Sequence, residues 1–163
     1  MSQPMRLRAP RERVASRARW MWVCTDLLRW VPVTAVLLLG NGSWGWYDLP
    51  PWVLTAYVVV LVAYVVVVPQ WRYAVHRWEA APDAVYTQSG WFDQERRIAP
   101  VSRIQTVDTE RGPFEQLFGL ASVTVTTASA AGALEIKGLD REVADRLVDE
   151  LTGATTLDEA DAT

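Results

Sequence analysis

The stretch Pro51–Pro69, PWVLTAYVVVLVAYVVVVP, constrains this chain more than any other, because it carries no charge and its only polar side chains are Thr55, Tyr57 and Tyr64. A bilayer core is about 30 Å thick, and a helix needs roughly 20 apolar residues to cross it. Residues 52–70 are therefore predicted to form a transmembrane helix. An earlier apolar segment, 20–39, is predicted to form the first span of a pair, although it contains Asp26 and Arg29 and is interrupted by Pro32. Asp26 and Arg29 stand three residues apart on one helical face, where they can form an intramembrane charge pair. Arg29 is also near enough to the start of the span to snorkel. Ionisable groups inside a span are functional candidates by default. A proton or ion relay would want further polar groups in the second span, which offers two tyrosines and a threonine. The pair is read instead as self-neutralising, facing the second helix or a partner subunit.

Charge sets the orientation. Residues 1–19 form a basic arm with six arginines against Glu12, and Arg72 and Arg77 follow the second span. By the positive-inside rule both flanks of this integral protein are expected to be cytoplasmic, with both termini inside. Fifteen of the sixteen basic residues are arginine, read as a GC-rich bacterial codon habit, so the membrane expected is a bacterial plasma membrane. The arm is not read as the head of a signal peptide, since the apolar segment behind it is too long and lacks a small-residue cleavage pattern. Residues 40–51 contain no basic residue and three glycines, and read as a short external loop. Trp44, Trp46, Tyr47 and Trp52 are expected in the outer aromatic belt, and Trp20, Trp22, Trp71, Tyr73 and Trp78 in the inner one.

From Tyr73 the apolar period becomes strand-like. Segments 73–79, 84–89, 96–108, 122–129 and 134–137 are predicted as consecutive short strands, with turns at 81–83, 90–93 and 130–133. Asp140 caps a predicted helix over 141–151 whose apolar stripe is Val143, Ala144, Leu147, Val148 and Leu151. Residues 153–163 read as a disordered acidic tail. The fold class is thus α+β: a two-helix hairpin, then a small antiparallel domain over 71–152 closed by a C-terminal helix.

Several functions are disfavoured. Residues 72–163 hold nine basic against sixteen acidic residues, a balance of −7. Nucleic-acid binding draws on basic surfaces, so no nucleic-acid partner is expected. Cys24 and His76 are single, which excludes an internal disulfide and a Cys/His zinc cluster. No nucleophile with a base, carboxylate pair or glycine-rich phosphate loop is evident, so neither catalysis nor a cofactor is expected. The partners expected are the lipid bilayer and a second membrane protein or another copy of the chain.

Trp71-Arg72-Tyr73 behind the second span, the run Arg97-Ile98-Ala99-Pro100-Val101-Ser102-Arg103-Ile104-Gln105-Thr106-Val107, the run Gly112-Pro113-Phe114-Glu115-Gln116-Leu117-Phe118-Gly119-Leu120-Ala121 and Val125-Thr126-Thr127-Ala128 together resemble the YdbS-like family of bacterial pleckstrin-homology (PH)-like membrane proteins. The resemblance implies a PH-like split barrel. It would place Arg103-Ile104-Gln105 on a central strand with Ile104 inward, and make Phe114, Leu117 and Phe118 plug one end. It also implies a non-catalytic interaction role, associated in some members with envelope stress or antimicrobial-peptide resistance beside a larger PH-like sibling. Eukaryotic relatives hold phosphoinositide headgroups with bases in the first strand turn. Here that turn, Glu79–Asp83, carries two acids and no base. Arg96, Arg97, Arg103 and Arg111 are left as the candidate contacts for anionic headgroups or a partner.

Overall fold

The computed structural model describes residues 10–42, 45–90, 94–128 and 132–161, without the side chains of 154–161. Residues 91–93 and 130–131 of the expected turns, Ser129 at the end of an expected strand, the start of the basic arm and Trp44 lie outside the described residues. Chain order is β1 (Glu12–Arg13), α1 (Ala18–Asn41), α2 (Pro51–Val75), β2 (Arg77–Ala80), β3 (Ala84–Gly90), β4 (Gln94–Pro100), β5 (Ile104–Glu110), α3 (Pro113–Phe118), β6 (Leu120–Thr127), β7 (Leu134–Asp140) and α4 (Arg141–Asp161).

Helices α1 and α2, of 24 and 25 residues, are long and apolar enough to cross a membrane. At about 1.5 Å per residue each is longer than the hydrocarbon core is thick by about a turn or more. They meet along a polar and aromatic seam: Trp30 lies edge-on to Tyr64 at 6.0 Å, and the Thr34 and Tyr57 hydroxyls are 2.8 Å apart. Leu27, Leu28 and Val31 of α1 and Val58–Val60, Val66 and Val67 of α2 point outward and are exposed. Pro32 does not interrupt α1, which runs through it unbroken, as α2 runs through Pro69. Spanning helices tolerate proline where neighbouring groups re-satisfy the freed carbonyl.

Among the described residues, seven strands form two antiparallel sheets, β1-β2-β3-β4 and β5-β6-β7. Between them lies one core of Val85, Ala99, Val123, Val125, Ile136 and Leu139, closed by Ala144, Leu147 and Leu151 of α4. The predicted stripe on α4 supplies that lid, with Val143 and Val148 packed at its margin. The α+β architecture is as the strand order implied.

Several boundaries differ, each for a packing reason. Tyr73–Val75 belong to α2 and not to a strand: Val75 is buried, Tyr73 packs on an apolar cluster, and the His76 amide still bonds the Arg72 carbonyl at 2.8 Å. The expected strand 96–108 is broken by a single 3-10 turn, Val101–Arg103, into β4 and β5 of different sheets. Arg103 therefore ends the turn, and Ile104-Gln105 begin an edge rather than a central strand, although Ile104 does pack on the core. Helix α4 continues past Gly153 to Asp161, where a disordered tail was expected.

Candidate functional site

The foot of the hairpin is built into the sheet domain. Val14, Ala18, Met21, Trp22 and Leu120 form a second apolar cluster, against which Phe114 and Phe118 pack. Part of the expected basic arm is thereby structural: Glu12 and Arg13 pair with Trp78 and Arg77, and the Ala15 amide donates to the Gly138 carbonyl at 2.9 Å. Leu117 departs from expectation. It is 77% exposed, because α3 has one short apolar face and Phe114 and Phe118 occupy it.

Gly138 is the pivot of this contact. Ala121 pairs with Leu139 and Val123 with Ile136, so Lys137 and Gly138 together oppose Ser122 in a bulge. Its φ of +75° suits glycine, and a Cβ there would stand 2.8 Å from the Ala18 Cβ. The bulge lets α1 lie against β7 and turns Lys137 toward the end of α2.

A recess of about 470 Å³ opens where α1, α2, the end of β3 and β7 meet, and Trp22, Arg29, Arg72, His76, Glu135 and Lys137 line it. The Arg72 guanidinium stacks 5.4 Å from the Trp22 ring centroid, and the His76 ring lies 5.2 Å from the same indole. His76 Nδ1 is 2.9 Å from the Arg72 carbonyl. Burial holds the His76 pKa below its ordinary value, the Arg72 carbonyl opposes that shift, and the charges of Arg72 and Lys137 add to it. Lys137 Nζ pairs with Glu135 Oε2 at 3.1 Å. Among the described residues no carboxylate pairs with Arg72.

Asp26 is 1% exposed, with Arg29 Nη1 3.8 Å from its Oδ1, and Asp26 Oδ2 has no hydrogen-bond partner. The four candidate arginines are not gathered into one site. Arg96 and Arg97 line a separate cleft of about 430 Å³ between β4 and the β6–β7 hairpin. There Arg97 donates to Glu95 Oε1 and to the Ala133 carbonyl, each at 2.8 Å. Arg103 and Arg111 flank opposite ends of β5. Trp22, His76 and Lys137 were not singled out as site residues from sequence, since they lie far apart in the chain and no local spacing links them. The one signal was the positive charge of Arg29 and Arg72 at the same end of two adjacent spans.

The family model described as Bacterial PH domain matches residues 26–155. Over 65 residues the chain is 42% identical to the UPF0699 transmembrane protein YdbS of Bacillus subtilis, a match covering 40% of this chain and 40% of that relative. No solved structure matches the chain significantly.

Proposed function

Because this chain belongs to the bacterial PH domain family, whose match spans residues 26–155, we propose that it is a non-catalytic plasma-membrane protein that presents its PH-like domain to a second membrane protein. That it is a membrane protein with a PH-like domain rests on the family, the YdbS relative and the two apolar helices. The six arginines of residues 1–19, with Arg72 and Arg77, support a cytoplasmic domain and cytoplasmic termini.

The observation that carries the interaction reading is the outer edge of β4, which pairs with β3 on one side only and has no strand partner on the other among the described residues. An open edge offers a row of backbone donors and acceptors to an incoming strand. The adjacent cleft, with Ile98, Thr127 and Leu134 in its wall, can take alternate side chains of that strand. The partner in this reading is a larger PH-like sibling, in envelope stress or antimicrobial-peptide resistance, as the resemblance implies.

Lys137 is the only lysine in the chain, so amine crosslinkers would report poorly. A photoreactive residue in place of Glu95, irradiated in native membranes, is better placed. One abundant adduct with another membrane protein is the expected result. Adducts to lipid alone, or none, would refute the reading, and adducts between two copies would replace the sibling by self-association. Anionic headgroup binding is the second reading, favoured by the recess at the foot of the hairpin.

A further inference from the structure

We propose that this recess holds the phosphate of an anionic phospholipid drawn from the leaflet on the domain side of the membrane. The inference goes beyond the partner reading and depends only on the two helices crossing a bilayer. Its first support is position. Trp22 is buried in the domain while Leu27 and Leu28, one turn further along α1, are exposed and apolar; on α2, Val75 is buried at the domain end while Val66 and Val67, about two turns back along the helix, are exposed and apolar. The recess therefore lies where the chain passes from domain to hydrocarbon, at the depth of lipid phosphates. Arg29 starts about two turns deeper than Trp22, but helical side chains lean toward the helix N-terminus, here the domain end, and its long side chain reaches back to line the recess.

The second support is charge. Arg29, Arg72 and Lys137 stand against Glu135 in the lining and against Asp26, buried 3.8 Å from Arg29, leaving a net charge of +1. A phosphodiester carries one negative charge and would balance it. Arg72 is the principal ligand: its stack on Trp22 fixes the guanidinium plane, and its N–H fork suits two phosphate oxygens. Lys137 is partly satisfied by Glu135 and contributes less. Burial keeps His76 neutral in this recess, and the neighbouring charges of Arg72 and Lys137 add to that effect. With Nδ1 turned to the Arg72 carbonyl, neutral His76 leaves Nε2 for a headgroup hydroxyl. A choline headgroup would instead bring its ammonium toward the cations, so the recess discriminates against zwitterionic lipid. Its volume of about 470 Å³ lies within the roughly 300–1,000 Å³ usual for small-molecule sites.

The test is native mass spectrometry of the full chain released from detergent, titrated with dioleoyl phosphatidylglycerol, with dioleoyl phosphatidylcholine and with inorganic phosphate. One phosphatidylglycerol should be retained, with phosphatidylcholine and phosphate retained far less. Arg72→Gln should weaken retention about tenfold or more, the scale of a lost charge-assisted contact. Arg72 also packs on Trp22, so Arg29→Gln with Lys137→Gln provides a second loss in more exposed side chains, and Arg146→Gln on α4 controls for removing a charge elsewhere. Equal retention by wild type and both recess variants would overturn the proposal. So would equal retention of both lipids, which marks bulk solvation of the helices, or displacement of lipid by phosphate, which marks a small-anion site. None of these outcomes touches the β4 crosslink, so the two readings fail separately.

Discussion

At the residue scale, Gly138 meets two demands at once: a φ of +75° and a backbone that α1 approaches too closely for any side chain. Gly138→Ala should cost about 1–3 kcal/mol from crowding and a comparable amount from backbone strain. Thermal unfolding of the detergent-solubilised chain would show it, and an unchanged midpoint would remove the bulge as pivot. The nearby Arg17–Asp140 ion pair is short, at 2.6 Å, but both side chains are well exposed. Arg17→Ala should therefore cost less than about 1 kcal/mol by the same assay. His76 gives a pH signature. Its folded pKa is depressed, so the unfolded chain takes up the proton first as pH falls below the ordinary value of 6.5. Stability present above that value is lost as pH falls through the lower folded value. His76→Gln should flatten this part of the melting profile; Arg72 and Lys137 are the charges that act on the ring, and Arg29 and Glu135 line the same recess.

At the element scale, the two-residue strand β1 and the first turns of α1 contribute more than their length suggests. They cover the edge of β2 and bury Leu120 between helix and sheet. Deleting residues 1–17 should accelerate amide exchange in Arg77–Ala80 while β6 and β7 stay protected, because β6 is the central strand of its own sheet. Equal exchange with and without the segment would show β1 to be dispensable. Helix α3 makes a paired contrast. Leu117→Gln should change stability by less than about 0.5 kcal/mol, whereas Leu120→Ala, at a fully buried position, should cost roughly 2–5 kcal/mol. Similar losses for both would mean that Leu117 packs as the resemblance implied.

At the scale of the whole molecule, helix hairpin and sheet domain share the apolar cluster around Trp22 and Leu120, so the domain is held at a set orientation to the membrane rather than swung on a linker. Charge then decides which side it occupies. A reporter fused after Leu151 should be active only in the cytoplasm, and one inserted between Gly42 and Gly45 only outside. The reverse pattern would overturn the orientation drawn from the arginines.

The sequence by itself determined the two long apolar helices, the antiparallel α+β class and the apolar stripe of α4, because these depend on local length and periodicity that one segment carries alone. Ala144, Leu147 and Leu151 were legible as a buried face for this reason. Tertiary structure decided what depends on distant partners. Glu12 and Arg13 look like solvated charges until Arg77 and Trp78 supply an edge to pair with, and 96–108 looks like one strand until its halves join different sheets. The recess was hidden most completely. Arg29, Arg72 and Lys137 are separated by tens of residues, and only the packing of α1 on the Gly138 bulge brings their charges around one space. Local pattern records which face of an element is apolar, but what that face meets is set by packing energies summed over the folded chain.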